Sequence, residues 1–267
     1  MVRKPAVAGQ FYPGTADRLR AFLDEAMPPR PDRIRAVGVV APHAGYVYSG
    51  KVAGEVFGRV EVPSAALLLG PNHTGRGAVA AVAPEGAWAT PLGEAPIDAD
   101  LSAALRAASP LLTEDDLAHA REHSLEVEVP FLQHRNPAIK IVPIALRLRS
   151  AAEIESLGNA IASVLAARPE PCLLVASSDM SHYEPEARTR AKDAQAIEKV
   201  LALDPKGLLD VTGRAKITMC GVIPTAVLLT AARRLGATRG ELAAYTTSGE
   251  TSRDYDAVVG YAGILIV

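Results

Sequence analysis

Ala65-Ala66-Leu67-Leu68-Leu69-Gly70-Pro71-Asn72-His73 reads as a buried strand that runs into a tight turn and delivers a histidine. An unbroken apolar run of that length, closed by Gly and Pro, suits a strand covered on both faces. Two other stretches follow the same plan. Arg35 to Ala41 is a β-branched run followed by Pro42-His43. Cys172 to Ala176 leads into Ser177-Ser178-Asp179-Met180-Ser181-His182-Tyr183. Three strands thus carry polar, metal-competent side chains at their carboxyl ends, where open α/β sheets bind ligands. The flanking Pro42, Gly45, Gly70 and Pro71 bend or stiffen the chain there. Turn-making alone accounts for any one of these histidines; three such strand ends together favour a crevice.

Outward from these strands, helical patterns alternate with short apolar runs, which points to an α/β fold with helices on both faces of one sheet. The spacing predicts helices over 16–27, 49–57, 99–108, 122–133, 151–166, 185–203 and 221–235. Ser49, Asp98 and Ser150 are the expected caps. Further strands are expected at 78–82, 139–144, 241–247 and 258–267.

The 267 residues allow one large domain or two small ones, and 49% hydrophobic content supports a substantial core. A net charge of −2 with no basic stripe argues against nucleic acid. The longest apolar run, Ile217 to Ala232, is interrupted by Gly221 and Pro224 and too short to span a bilayer. Met1 to Pro13 lacks the apolar core of a signal peptide. Two cysteines make no disulfide framework, so a cytoplasmic setting is expected.

Cys220 precedes the apolar helix, where the helix dipole favours a thiolate and thus a soft ligand beside imidazole. Cys172, inside a strand, reads as a small buried hydrophobe. Glu122-His123-Ser124-Leu125-Glu126 opens a helix. His123 or Glu126 can reach the crevice as a contact to substrate or to a ligand, or the segment is simply a capping arrangement. His119 and His134, in polar Arg-flanked stretches, are expected at the surface. No Gly-x-Ser-x-Gly elbow or His-Glu-x-x-His signature is present, which disfavours serine and zinc hydrolases.

Several blocks together resemble the Memo family, whose prokaryotic members are called AmmeMemoRadiSam system protein B. They are Pro5 to Pro13, Pro42-His43-Ala44-Gly45-Tyr46-Val47-Tyr48-Ser49-Gly50, Gly70-Pro71-Asn72-His73, Glu122 to Glu126, Ser177 to Tyr183, and Met219-Cys220-Gly221. They span nearly the whole chain, which implies a single domain over 1–267. The family is similar to class III extradiol dioxygenases, which implies a three-layer α/β/α sandwich around a mostly parallel or mixed sheet. The resemblance further implies His43, His73 and Cys220 as metal ligands, and His182 and Asp179 as catalytic groups. Tyr46, Asn72, His123 and Glu126 would contact substrate. Iron(II) is the implied metal, with copper as the alternative, in a metal-dependent redox protein acting with radical-SAM and AMMECR-type partners. Cys220 stands where the dioxygenases carry a carboxylate, and a thiolate prefers softer metals, which argues against ring opening. The competing reading is a scaffold whose pocket binds a phosphorylated or anionic ligand without turnover, with Arg76 or Arg147 supplying positive charge.

Overall fold

A computed structural model describes residues 1–267. In chain order the strands are β1 (Val2–Arg3), β2 (Gly38–Ala41), β3 (Ala65–Pro71), β4 (Ala80–Val82), β5 (Ala87–Thr90), β6 (Gly93–Pro96), β7 (Thr113–Glu114), β8 (Lys140–Leu146), β9 (Cys172–Ser177), β10 (His182–Glu184), β11 (Gly240–Thr247) and β12 (Val258–Ile266). The helices are α1 (Ala16–Ala26), α2 (Tyr46–Arg59), α3 (Ala99–Ala108), α4 (Val129–Arg135), α5 (Ala151–Ala166), α6 (Glu186–Leu201), α7 (Pro205–Ala215), α8 (Val222–Arg234) and α9 (Gly249–Ser252). A 3₁₀ turn, Glu126–Glu128, leads into α4.

The main sheet is mixed, in the order β10-β12-β2-β9-β3-β8-β4-β7, with β11 also paired to β12. Its centre, β2-β9-β3-β8, is parallel, and β12 and β4 flank that centre antiparallel. A separate small sheet joins β1, β5 and β6.

Strand alternation explains the three layers. Leu67, Leu69, Leu174 and Val142 face one side, where α3, α5, α6, α7 and α8 cover them. Ala66, Leu68, Leu173 and Val175 face the other side, under α1, α2 and α4. Leu67, Leu68 and Leu69 are wholly buried, and each contributes about 1.5–3 kcal/mol by leaving water. The run Ala65 to Leu69 is therefore apolar at every position because both of its faces are inside.

Most expected elements are present with shifted ends. Asp98 caps α3 by accepting from the Leu101 amide, and Ser150 with Glu153 forms a full capping box on α5. Ser49, however, does not open α2. That helix starts at Tyr46 behind Gly45, and the Ser49 hydroxyl donates to the Ala44 carbonyl instead. The helix expected over 122–133 is irregular up to Leu125, where Glu122 draws the His123 and Ser124 amides to its own carboxylate.

Helix α7 escaped the periodicity reading, although its signal was there: Asp204 caps it and Pro205 opens its first turn. His119 is not at the surface. It is 1% exposed, with its ring 5.6 Å from that of Trp88, and burial together with the Arg3 charge lowers its pKa to about 4. No helix is long and apolar enough to cross a membrane.

Candidate metal centre

The carboxyl ends of β2, β3 and β9 lie side by side, so the residues following them meet. His43 leaves β2 after Pro42 and is 2% exposed. Its backbone amide donates to Asp179 Oδ1 at 2.8 Å, its Nδ1 lies 2.8 Å from Ser177 Oγ, and its Nε2 lies 3.2 Å from Cys220 Sγ. Burial, then the neighbouring His73 and His123, pushes its pKa well below the ordinary histidine value, so the ring is neutral and keeps a lone pair.

His73 follows β3. Its backbone amide donates to Glu122 Oε2 at 2.6 Å, and its Nδ1–H donates to Glu122 Oε1 at 2.9 Å. Glu122 also accepts from the amides of His123 and Ser124, at 3.0 Å each. Burial alone would raise this carboxyl. The donors from His73 and Ser124 outweigh it and hold the pKa at about 2. One carboxylate therefore orients His73 and shapes the backbone that carries His123. The His123 ring stacks on His73, with centroids 4.8 Å apart and planes 16° from parallel.

His43, His73 and His123 each bring one donor nitrogen to within 4.8 Å of the others. Imidazoles whose far nitrogens are held by hydrogen bonds, as Nδ1 of His43 and of His73 are, match the way proteins present histidine to a metal. The donor set therefore fits a transition-metal ion, without selecting which one.

Cys220 stands against His43, outside that three-histidine set. Its thiol is pushed up by burial and by the Asp179 charge, contrary to the thiolate expected from the helix position. α8 begins only at Val222, and desolvation exceeds what its dipole offers. Gly221 is required beside it, because a Cβ there would collide with Ser178 and with the Ser177 carbonyl. Cys172 is raised to about 12 by burial, consistent with a packing role.

Asp179 is 5% exposed, and burial raises its pKa to about 7 despite the His43 and Ala44 amides that it accepts. Its contacts run to the His43 backbone rather than to the His182 ring. His182 is half-buried. Its amide donates to Thr218 Oγ1 at 2.7 Å and its Nδ1–H donates to the Thr218 carbonyl at 2.9 Å, which leaves Nε2 as the proton-accepting atom.

The other expected contacts are turned to internal work. The Tyr46 hydroxyl donates to the Val127 carbonyl. Asn72 closes its own turn, donating to the Arg76 carbonyl and accepting from Thr74 Oγ1 and the Gly75 amide. Glu126 accepts from Arg3, the amides of Ala6 and Val7, and the Tyr12 hydroxyl. Of the four residues expected to touch substrate, only His123 joins the cluster. Glu128 and Thr218, which hold the histidines from behind, carry no motif that would have singled them out, and Ser177 opens a recognised block without being marked as a partner of His43.

A three-layer α/β protein with a histidine cluster over the carboxyl ends of its parallel strands is the class this geometry defines. Within it, the chain belongs to the Memo-like protein family, which matches residues 3–265. It is 40% identical to a MEMO1 family protein of Methanopyrus kandleri, over 99% of each chain. It is 41% identical to a MEMO1 family protein of Aquifex aeolicus, over 100% of this chain and 99% of that one. The crystal structure of an uncharacterized protein from Escherichia coli K12 shares the fold, with a TM-score of 0.62 at 14% identity, covering 87% of this chain and 100% of that one.

Proposed function

We propose that the protein binds a transition-metal ion through His43 and His73 and uses it in redox chemistry, with iron(II) as the first choice and copper as the second. The observation that carries this reading is the convergence of three imidazoles, one of them buried, with donor nitrogens within 4.8 Å of one another. His123 is the third donor in that set, and Cys220, 3.2 Å from His43 Nε2, is the alternative once its thiol is deprotonated. A bound metal would supply Lewis acidity or electron transfer. The residues around it have separate tasks: Glu122 orients His73, Asp179 fixes the His43 peptide, and His182 offers Nε2 to a substrate proton. In the resemblance to AmmeMemoRadiSam proteins, a radical-SAM enzyme and an AMMECR-type protein would be its partners.

Anaerobic purification with metal quantification of the wild type, His43→Ala, His123→Ala and Cys220→Ala tests the reading. Stoichiometric iron or copper in the wild type and its loss from His43→Ala are expected. The remaining two variants identify the third donor. A wild-type protein that takes up no iron, copper or zinc after reconstitution overturns the reading.

A further inference from the structure

Behind His43 lies a polar chain that no part of the proposed chemistry uses. Ser177 Oγ has three neighbours: His43 Nδ1 at 2.8 Å, the Ser124 carbonyl oxygen at 2.7 Å, and Glu128 Oε1 at 2.8 Å. A serine hydroxyl has one proton to give and two lone pairs to receive. The Ser124 carbonyl can only accept, so the Ser177 proton goes there. The other two neighbours must then donate to Ser177. His43 does so as Nδ1–H, and Glu128 does so only as a carboxylic acid. An ionised Glu128 would compete with Ser124 for the single proton, leaving two acceptors face to face.

The surroundings of Glu128 agree. It is 0% exposed, no salt bridge reaches it, and its Oε2 has no partner. An isolated carboxylate in such a place is far costlier than the neutral acid. Burial accordingly pushes its pKa well above the usual carboxylate range.

We infer that Glu128 is a positioning residue: as a neutral acid it donates to Ser177, which in turn holds His43 as the Nδ1–H tautomer with the Nε2 lone pair facing the cluster. This rests on the proposed metal-binding role of His43, because the lone pair so presented is the one a cation would use. Ser177 occupies this place through register, since it pairs with Ala41 across β2 and β9, two residues before His43.

The test uses the full chain with and without Zn2+, a redox-silent probe, and compares wild type, Glu128→Gln, Glu128→Ala and Ser177→Ala. The glutamine amide still donates to Ser177 and places its oxygen where Glu128 Oε2 has no partner. Glu128→Gln is therefore expected to keep both the His43 tautomer, read by imidazole 15N shifts in the metal-free protein, and the Zn2+ affinity within about threefold. Glu128→Ala and Ser177→Ala are expected to mix the tautomers and weaken Zn2+ binding by about 10–100-fold, the usual cost of losing a partner behind a metal-bound histidine. Glu128→Gln binding as poorly as Glu128→Ala would show that charge rather than donation matters and would overturn the inference. So would an unchanged tautomer in Ser177→Ala. If the wild type takes no Zn2+, the metal reading fails while the tautomer measurement still decides the role of Glu128.

Discussion

Glu126 and Glu128 sit two residues apart on one 3₁₀ turn, both essentially closed to solvent, and they live in opposite electrostatic settings. Glu126 accepts from a guanidinium, two amides and a phenol, and it clasps the segment from Arg3 to Tyr12 onto the body of the protein. Glu128 meets one hydroxyl and leaves an oxygen unpartnered. Burial is the same; company differs. The first is a charged structural rivet and the second a neutral donor, so neither residue type nor exposure alone reveals what a buried carboxyl does.

The strongest way to break this contrast is Arg3→Ala. It strands the Glu126 charge, and removing one partner of a buried ion pair costs about 3–5 kcal/mol, to be read from denaturant unfolding. A loss below about 1 kcal/mol would mean that this buried pair contributes no more than a solvent-exposed one.

Glu122 offers the next test. Its folded pKa, about 2, lies below the unfolded value of 4.5, so its contribution is complete above about pH 4.5 and disappears as pH falls through 2. Glu122→Gln is expected to lower the stability of the metal-free protein at pH 7 by on the order of 3 kcal/mol and to flatten the acid limb of its pH–stability curve. An acid limb as steep as that of the wild type would refute this.

Glu128→Met should change stability by no more than about 1 kcal/mol, because it replaces a poorly satisfied acid by an apolar chain of similar size. Thermal unfolding reads this directly, and a loss comparable to that of Arg3→Ala would erase the distinction. Smallest of all, Arg35→Ala breaks a solvent-exposed pair with Glu61 and should move stability by less than about 0.5 kcal/mol in the same assay.

The sandwich was legible in the sequence because both of its signals are local. Leu67 to Leu69 are apolar at every position, and His43, His73 and Asp179 each follow such a run. The site was legible only in part. His123 lies in a segment whose regular helix is undone by Glu122 pulling the next two amides toward its own carboxylate, and that competition has no periodic signature. Cys220 looked like a thiolate from its place before a helix, but the opposing terms are burial and Asp179, which come from distant parts of the chain. His119, in a stretch that also holds Asp115, Asp116 and Arg121, is buried because the small sheet places Trp88 against it. Ser177 owes its place behind His43 to the β2–β9 register, and Glu128 reaches it from the 3₁₀ turn, contacts that no local pattern states.

That register has a consequence for how the protein is made. β2 carries the backbone leading to His43, yet its two neighbours, β9 and β12, pair Val40 with Ala176 and with Ile264. During vectorial synthesis Gly38–Ala41 therefore waits with both edges bare while most of the polypeptide is still being added. Such distant pairing slows folding and exposes unpaired strand edges to aggregation. The histidine cluster cannot assemble before β9 joins β2 to β3, and a metal ion arriving earlier would meet scattered ligands rather than a site.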